Sequence, residues 1–158
     1  MFILINIFFL SVTVYNFIKR KQNTFKALLP KSTIIVSIIF LIIGLIIWSL
    51  KDKSTIGFIT VLSACIYFIS YFSAIGINER YFNSFMAKSI VILSVPYDQI
   101  AEIILTKKDN KIHLKIKAFG HEFLQQYNVE LEHQLVQFIK KNLKSDILFA
   151  SDLYSVDE

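Results

Sequence analysis

Three long apolar runs dominate the first half of the chain. Met1 to Ile18 holds no charged side chain, and Asn6 and Asn16 are its only strongly polar residues. Thr33 to Leu50 is almost wholly Ile, Leu, Val and Phe, and Thr55 to Ile77 forms the third run. Each has about 18 residues or more, which at about 1.5 Å per residue covers a hydrocarbon core of about 30 Å. The second run is apolar on every side, whereas a helix lying on a protein surface keeps a polar face. The pattern therefore predicts three membrane spans, at about 1–18, 33–50 and 55–77, the last two joined by the short turn Lys51–Ser54. The first run has no positive stretch before it and no small-x-small site after it, so it reads as a retained anchor.

Beyond Ile77 the period changes. Ile112-His113-Leu114-Lys115-Ile116-Lys117 alternates strictly, which predicts a half-buried strand with Ile112, Leu114 and Ile116 inward. Ile100–Thr106 precedes it as a strand, and Lys107–Lys111 reads as the connecting hairpin turn, with Asp109-Asn110 able to take positive φ. Arg80–Phe85, Ile90–Val95 and, with a weaker pattern, Glu122–Tyr127 read as three more strands. Leu131, Leu135, Phe138, Ile139 and Leu143 recur at spacings of three and four. They predict an amphipathic helix over 129–143, capped by Asn128, with Glu130 and Glu132 in its first turn and Lys140, Lys141 and Lys144 in its last. The expected organisation is α+β: a three-helix transmembrane region (1–77), a small antiparallel β domain closed by its C-terminal helix (78–144), and an acidic tail (145–158) without periodicity.

The charge places this layout in a membrane. The chain has 158 residues and a net charge of +5, with 54% hydrophobic and 18% charged residues. The excess sits in Lys19, Arg20, Lys21, Lys26 and Lys31, between the first two runs and with no acid among them. There it acts as a topology signal. It predicts a cell-membrane protein with its N-terminus outside, the Lys51–Ser54 turn outside and everything after Ile77 in the cytoplasm. The cytoplasmic part is close to neutral, which argues against nucleic acid as a partner. No Asp, Glu, Lys, Arg or His lies inside the predicted spans, whereas pumps and coupled transporters need such groups at depth.

The chemical inventory is sparse. There is one cysteine, Cys65, and one glycine after Gly76, namely Gly120, which excludes a disulfide framework and a glycine-built phosphate loop. His113, His121 and His133 fall on a strand, a turn and a helix, at spacings that match no metal motif. The sequence thus predicts no enzyme, no cofactor and no metal. Glu79, Arg80 and Asp98 are the only residues near a span end that a lipid-acting enzyme would have to use. The cluster Lys107, Lys108, Lys111, Lys115 and Lys117, together with Arg80 directly after the third span, is the expected contact for anionic head groups or a partner protein.

The order of these parts carries a resemblance. An apolar multi-span anchor is followed by Gly76-Ile77-Asn78-Glu79-Arg80, a strand, and then Val95-Pro96-Tyr97-Asp98-Gln99-Ile100 leading into the next strand. A basic hairpin and a terminal amphipathic helix follow. This resembles the bacterial membrane-anchored proteins with a C-terminal pleckstrin-homology-like cytoplasmic domain, a functionally uncharacterised family. In their "Pro, aromatic, polar, polar, Ile" stretch, Pro96, Tyr97 and Ile100 take the matching places. The resemblance covers roughly residues 76–144. It implies a seven-stranded barrel, of which five strands are legible here, and an interaction role. The expected function is a non-enzymatic membrane protein presenting a small domain to a protein or to membrane lipid, with homo-oligomerisation left open. The alternative is a small membrane immunity protein that protects against a toxin or bacteriocin.

Overall fold

The computed structural model describes residues 2–51, 53–86, 90–143 and 148–151. The chain forms two compact units, one of residues 1–21 and 29–74, the other of 22–28 and 75–158.

The first unit contains α1 (Phe2–Gln22), α2 (Lys31–Lys51) and α3 (Thr55–Ser73), each long and apolar enough to cross a membrane. Their burial pattern is the reverse of that in a water-soluble bundle. Ile35, Phe40, Ile47 and Ile59 point outward, while Asn16, Thr33, Ser37, Ser63 and Ser70 are buried. In lipid the apolar side chains need no shelter, and polar groups gain most by bonding between helices. Thus Ser63 Oγ donates to Asn6 Oδ1 (2.9 Å) and Asn16 Nδ2 donates to Ser70 Oγ (3.1 Å), tying α1 to α3. Rings stack across the same seam at Phe9 and Tyr67. Between α2 and α3, Phe40 stacks on Phe68, and Trp48 Nε1 donates to the Ser54 carbonyl (2.8 Å). Ser54 caps α3 by accepting from Gly57 N. Asp52, in the turn between α2 and α3, lies outside the described residues.

The second helix runs slightly beyond the expected 33–50 at both ends, and the other two spans end elsewhere than expected. The first helix continues past Ile18 to Gln22, so Lys19, Arg20 and Lys21 form its last turn and complement its dipole. The third stops at Ser73 rather than Ile77, because Gly76 and Ile77 belong to a strand.

The second unit holds two four-stranded sheets and a helix. The first sheet is antiparallel throughout, in the order β1 (Phe25–Lys26), β2 (Gly76–Ile77), β3 (Tyr81–Ser84), β4 (Leu93–Pro96). β1 comes from the connection between α1 and α2, and pairs Phe25 with Ile77 and Lys26 with Gly76. Here the glycine is required by closeness: a Cβ on Gly76 would lie 2.4 Å from the Phe25 carbonyl oxygen and 2.6 Å from Asn23 Nδ2. β4 is shorter than the expected 90–95 run. Ile90 and Val91 are exposed bends, and Pro96 ends the strand at the sheet margin, where its missing N–H costs nothing. Residues 87–89 lie outside the described residues.

After a 3-10 turn at Tyr97–Gln99 come β5 (Ile100–Lys108), β6 (Lys111–Ala118) and β7 (His121–Asn128), an antiparallel meander. The expected five-residue turn Lys107–Lys111 is tighter than that. Only Asp109 (φ 51°) and Asn110 (φ 57°) form it, both left-handed as a type I′ hairpin requires, and the flanking lysines are strand residues. A 3-10 turn at Val129–Leu131 replaces the first turn of the expected 129–143 helix. α4 then spans Glu132–Asn142, and Asn128 caps the turn by accepting from Glu130 N. Lys144, expected in the last turn, lies outside the described residues.

The tail carries β8 (Leu148–Ser151), which pairs with β5 in parallel and gives the second sheet the order β7-β6-β5-β8. One parallel pair thus interrupts the expected all-antiparallel pattern; the rest of the tail, Ile147 and Tyr154 included, lies outside the described residues. Residues of both sheets and of α4 share one core, in which Phe82, Val95, Ile103, Leu114, Tyr127 and Ile139 are fully or almost fully buried.

Candidate functional site

The β5–β6 hairpin brings the five lysines together, and the register then separates them. Lys117 meets Glu102 across β5 at 2.5 Å and reaches Glu122 on β7 at 4.0 Å. Lys115 meets Glu122 at 2.8 Å, and Lys107 reaches Glu132 on α4 at 2.9 Å. These contacts show in the acid–base behaviour. The hydrogen bond and charge of Glu102 hold the Lys117 ammonium above its ordinary range, and the bond from Lys115 holds the Glu122 carboxyl below its own. Three of the five cations are therefore balanced by carboxylates.

Lys108 and Lys111 form no ion pair among the described residues. They are direct cross-strand partners at the tip of the hairpin, and both tip residues between them are exposed. Like charges placed directly opposite each other destabilise a hairpin, so the stability of the strand pair does not account for this arrangement.

Arg80 lies in the first sheet, on the turn between β2 and β3. Asn78 Oδ1 accepts from Arg80 N (2.9 Å) and Tyr81 N (2.8 Å), and the Tyr97 hydroxyl donates to the Asn78 carbonyl (3.0 Å). Burial pushes the Tyr97 phenol well above its usual range, so it stays a donor. The pinned turn borders a polar cleft of about 460 Å³ lined by Gln22, Thr24, Asn78, Glu79, Arg80 and Tyr81. No hydrogen bond or ion pair among the described residues joins Arg80 to the lysine hairpin. Asp98, the third residue a lipid-acting enzyme would need, is exposed in the 3-10 turn outside this cleft lining.

The cations expected to set topology are dispersed over several elements. Lys19 lies over the Tyr15 ring (5.5 Å), and Arg20 donates to the Ser73 carbonyl (2.5 Å). Lys21 is exposed in the last turn of α1, Lys26 is exposed on β1, and Lys31 opens α2. His113, His121 and His133 stand on β6, at the start of β7 and on α4, and the described residues contain no cluster able to hold a metal ion.

Sequence reasoning missed a buried polar network. Asn83 Nδ2 donates to Asn23 Oδ1 (2.6 Å), Ser94 Oγ donates to Asn83 Oδ1 (2.7 Å), and Gln125 Nε2 donates to the Asn83 carbonyl (3.0 Å). The Tyr127 hydroxyl completes it on Gln125 Oε1. The network joins the segment before β1 to β3, β4 and β7. One signal for it was present: Gln125 occupies an inward position between Phe123 and Tyr127, where a polar side chain must find a partner. Comparison of the chain with protein-family models, with curated proteins and with solved structures found no match.

Proposed function

We propose that this is a non-enzymatic integral membrane protein, anchored by α1–α3, whose pleckstrin-homology-like unit stands at the cytoplasmic face of a bacterial cell membrane and binds anionic head groups or an acidic protein surface. The observation that carries the reading is the cross-strand pair Lys108–Lys111. It is a like-charge pair at an exposed hairpin tip that forms no ion pair among the described residues, while Lys107, Lys115 and Lys117 each meet a carboxylate. Each Lys near an anionic surface contributes about 1 kcal/mol, enough for the tip to act as a contact point.

Two features support the rest of the proposal. Four antiparallel strands, a three-strand meander and then a helix support the pleckstrin-homology-like reading, with β1 and β2 as two strands beyond the five legible in sequence. The pairing of β1 with β2 also requires that the α1–α2 connection and the segment after α3 lie on one side of any membrane the helices cross. The lysine and arginine excess of that connection supports the cytoplasmic side.

The test is extraction of the intact protein in native nanodiscs, with mass spectrometry of the lipids and proteins retained. Wild type is expected to enrich anionic lipid, or to hold an acidic protein partner. The Lys108→Ser, Lys111→Ser double variant is expected to lose that enrichment while remaining folded. Equal retention by both proteins overturns the role of the tip.

A further inference from the structure

Strand β5 is paired on both edges, very unequally. One edge is joined to β6 along the whole hairpin, from Ile100 opposite Ala118 to Lys108 opposite Lys111. The other is joined to β8 over four residues only, from Glu102 opposite Leu148 to Leu105 opposite Ser151, and in parallel. Parallel pairing is the less stable per residue, and a four-residue marginal strand is held by few bonds. β5 does not need that strand in order to form. Ile103 and Leu105 are fully buried in a core that includes Leu114, Ile116, Leu135 and Ile139, and the β6 ladder fixes its backbone. With 148–151 removed, the Glu102–Leu105 edge would present unpaired N–H and C=O groups, the template that strand addition uses.

We propose that this outer edge of β5 is a strand-accepting site for an extended, uncharged, apolar peptide segment of a partner protein, and that the chain's own residues 148–151 occupy it as a displaceable cover. The resident segment defines the chemistry that fits: Leu148-Phe149-Ala150-Ser151 carries no charge and is flanked by Asp146 and Asp152. A partner segment enters in the same parallel register, so backbone bonds supply affinity and alternate side chains supply selectivity. The inference rests on the reading of this unit as an interaction domain. Its test does not involve Lys108 or Lys111, so either proposal can fail while the other stands.

The experiment compares three full-membrane-region proteins in nanodiscs: the intact chain, a chain ending at Leu143, and the full-length variant Phe149→Pro with Ala150→Pro, which removes two backbone donors. The probe is a fluorescein-labelled peptide of residues 146–153, read by anisotropy and by amide hydrogen exchange over Glu102–Leu105. A tethered strand competes at an effective concentration in the mM range, so both altered proteins are expected to bind the peptide at least about tenfold more tightly than the intact chain. The bound peptide should also slow exchange on the β5 edge, and the same peptide with the two prolines should not bind. Equal binding by all three proteins, or no binding by altered proteins whose β6 and β7 amides stay protected, overturns the proposal. If the truncated chain alone loses β6 and β7 protection, the proline variant decides. Loss of that protection in both makes 148–151 an integral part of the fold rather than a cover, and also overturns it.

Discussion

At the scale of single residues, the second unit depends on a few positions whose reasons are steric or polar. Gly76 leaves no room for a methyl group against the Phe25 carbonyl, which is backbone and cannot swing aside. Gly76→Ala is therefore expected to cost about 1–3 kcal/mol by forced displacement of β1, seen as a lower unfolding midpoint in detergent and faster amide exchange at Phe25 and Lys26. Asn83→Ala removes the centre of the buried network, with the donor to Asn23 Oδ1 and the acceptor from Ser94 Oγ. The expected loss is about 1–3 kcal/mol, from breaking hydrogen bonds in a buried site. Phe119 works the other way. It occupies a left-handed position (φ 54°) in the β6–β7 turn with the residue 53% exposed, so it bears backbone strain with little packing in return. Phe119→Asn should raise stability by about 1 kcal/mol, since Asn tolerates that conformation. A fall in the melting temperature would show that the ring holds a contact worth more than the strain.

At the scale of elements, the strands that were legible are those long enough to repeat. β5, β6 and β7 run for eight or nine residues, and β6 alternates along its whole length, so period two could be read directly. β1 and β2 have two residues each and no period to read. Their existence is a long-range fact, settled by pairing between positions about fifty apart in the chain. The lysine cluster was visible for the same reason as β6, but its neutralisation was not. Which lysines meet carboxylates depends on the register that sets Glu102 and Glu122 on either side of Lys117. That register also fixes a pH dependence. The Glu122 carboxyl is held below its ordinary value of 4.5 by Lys115. Its contribution to stability is thus present above the unfolded-state value and is lost as pH falls through the folded one. Lys115→Met is expected to return the Glu122 titration, followed by carboxyl NMR, toward the ordinary value. A curve that does not move would mean that the 2.8 Å pair is not populated in solution.

At the scale of the whole molecule, the sequence revealed the three apolar helices because a span is a property of composition over about twenty residues. It did not reveal that the connection between the first two spans is a structural part of the second unit, because that depends on Asn23 and Phe25 finding Asn83 and Ile77. This weave makes topology testable in two independent steps. β1 and the β5–β6 hairpin belong to one compact unit, so cysteines introduced at Lys26 and Lys108, in a Cys65→Ala background, must share the same accessibility to a membrane-impermeant maleimide. Different labelling of the two sites would mean that β1 does not pair with β2 in the membrane-inserted protein, whatever the orientation. The charge bias then predicts the direction. Both sites should be protected in intact cells and labelled in inverted vesicles, and Lys53→Cys, on the turn between α2 and α3, should show the reverse. If Lys26 and Lys108 label together from outside, the weave stands and the orientation is inverted. The lysine tip would then face away from the anionic inner leaflet, and a protein surface would be the contact left for it.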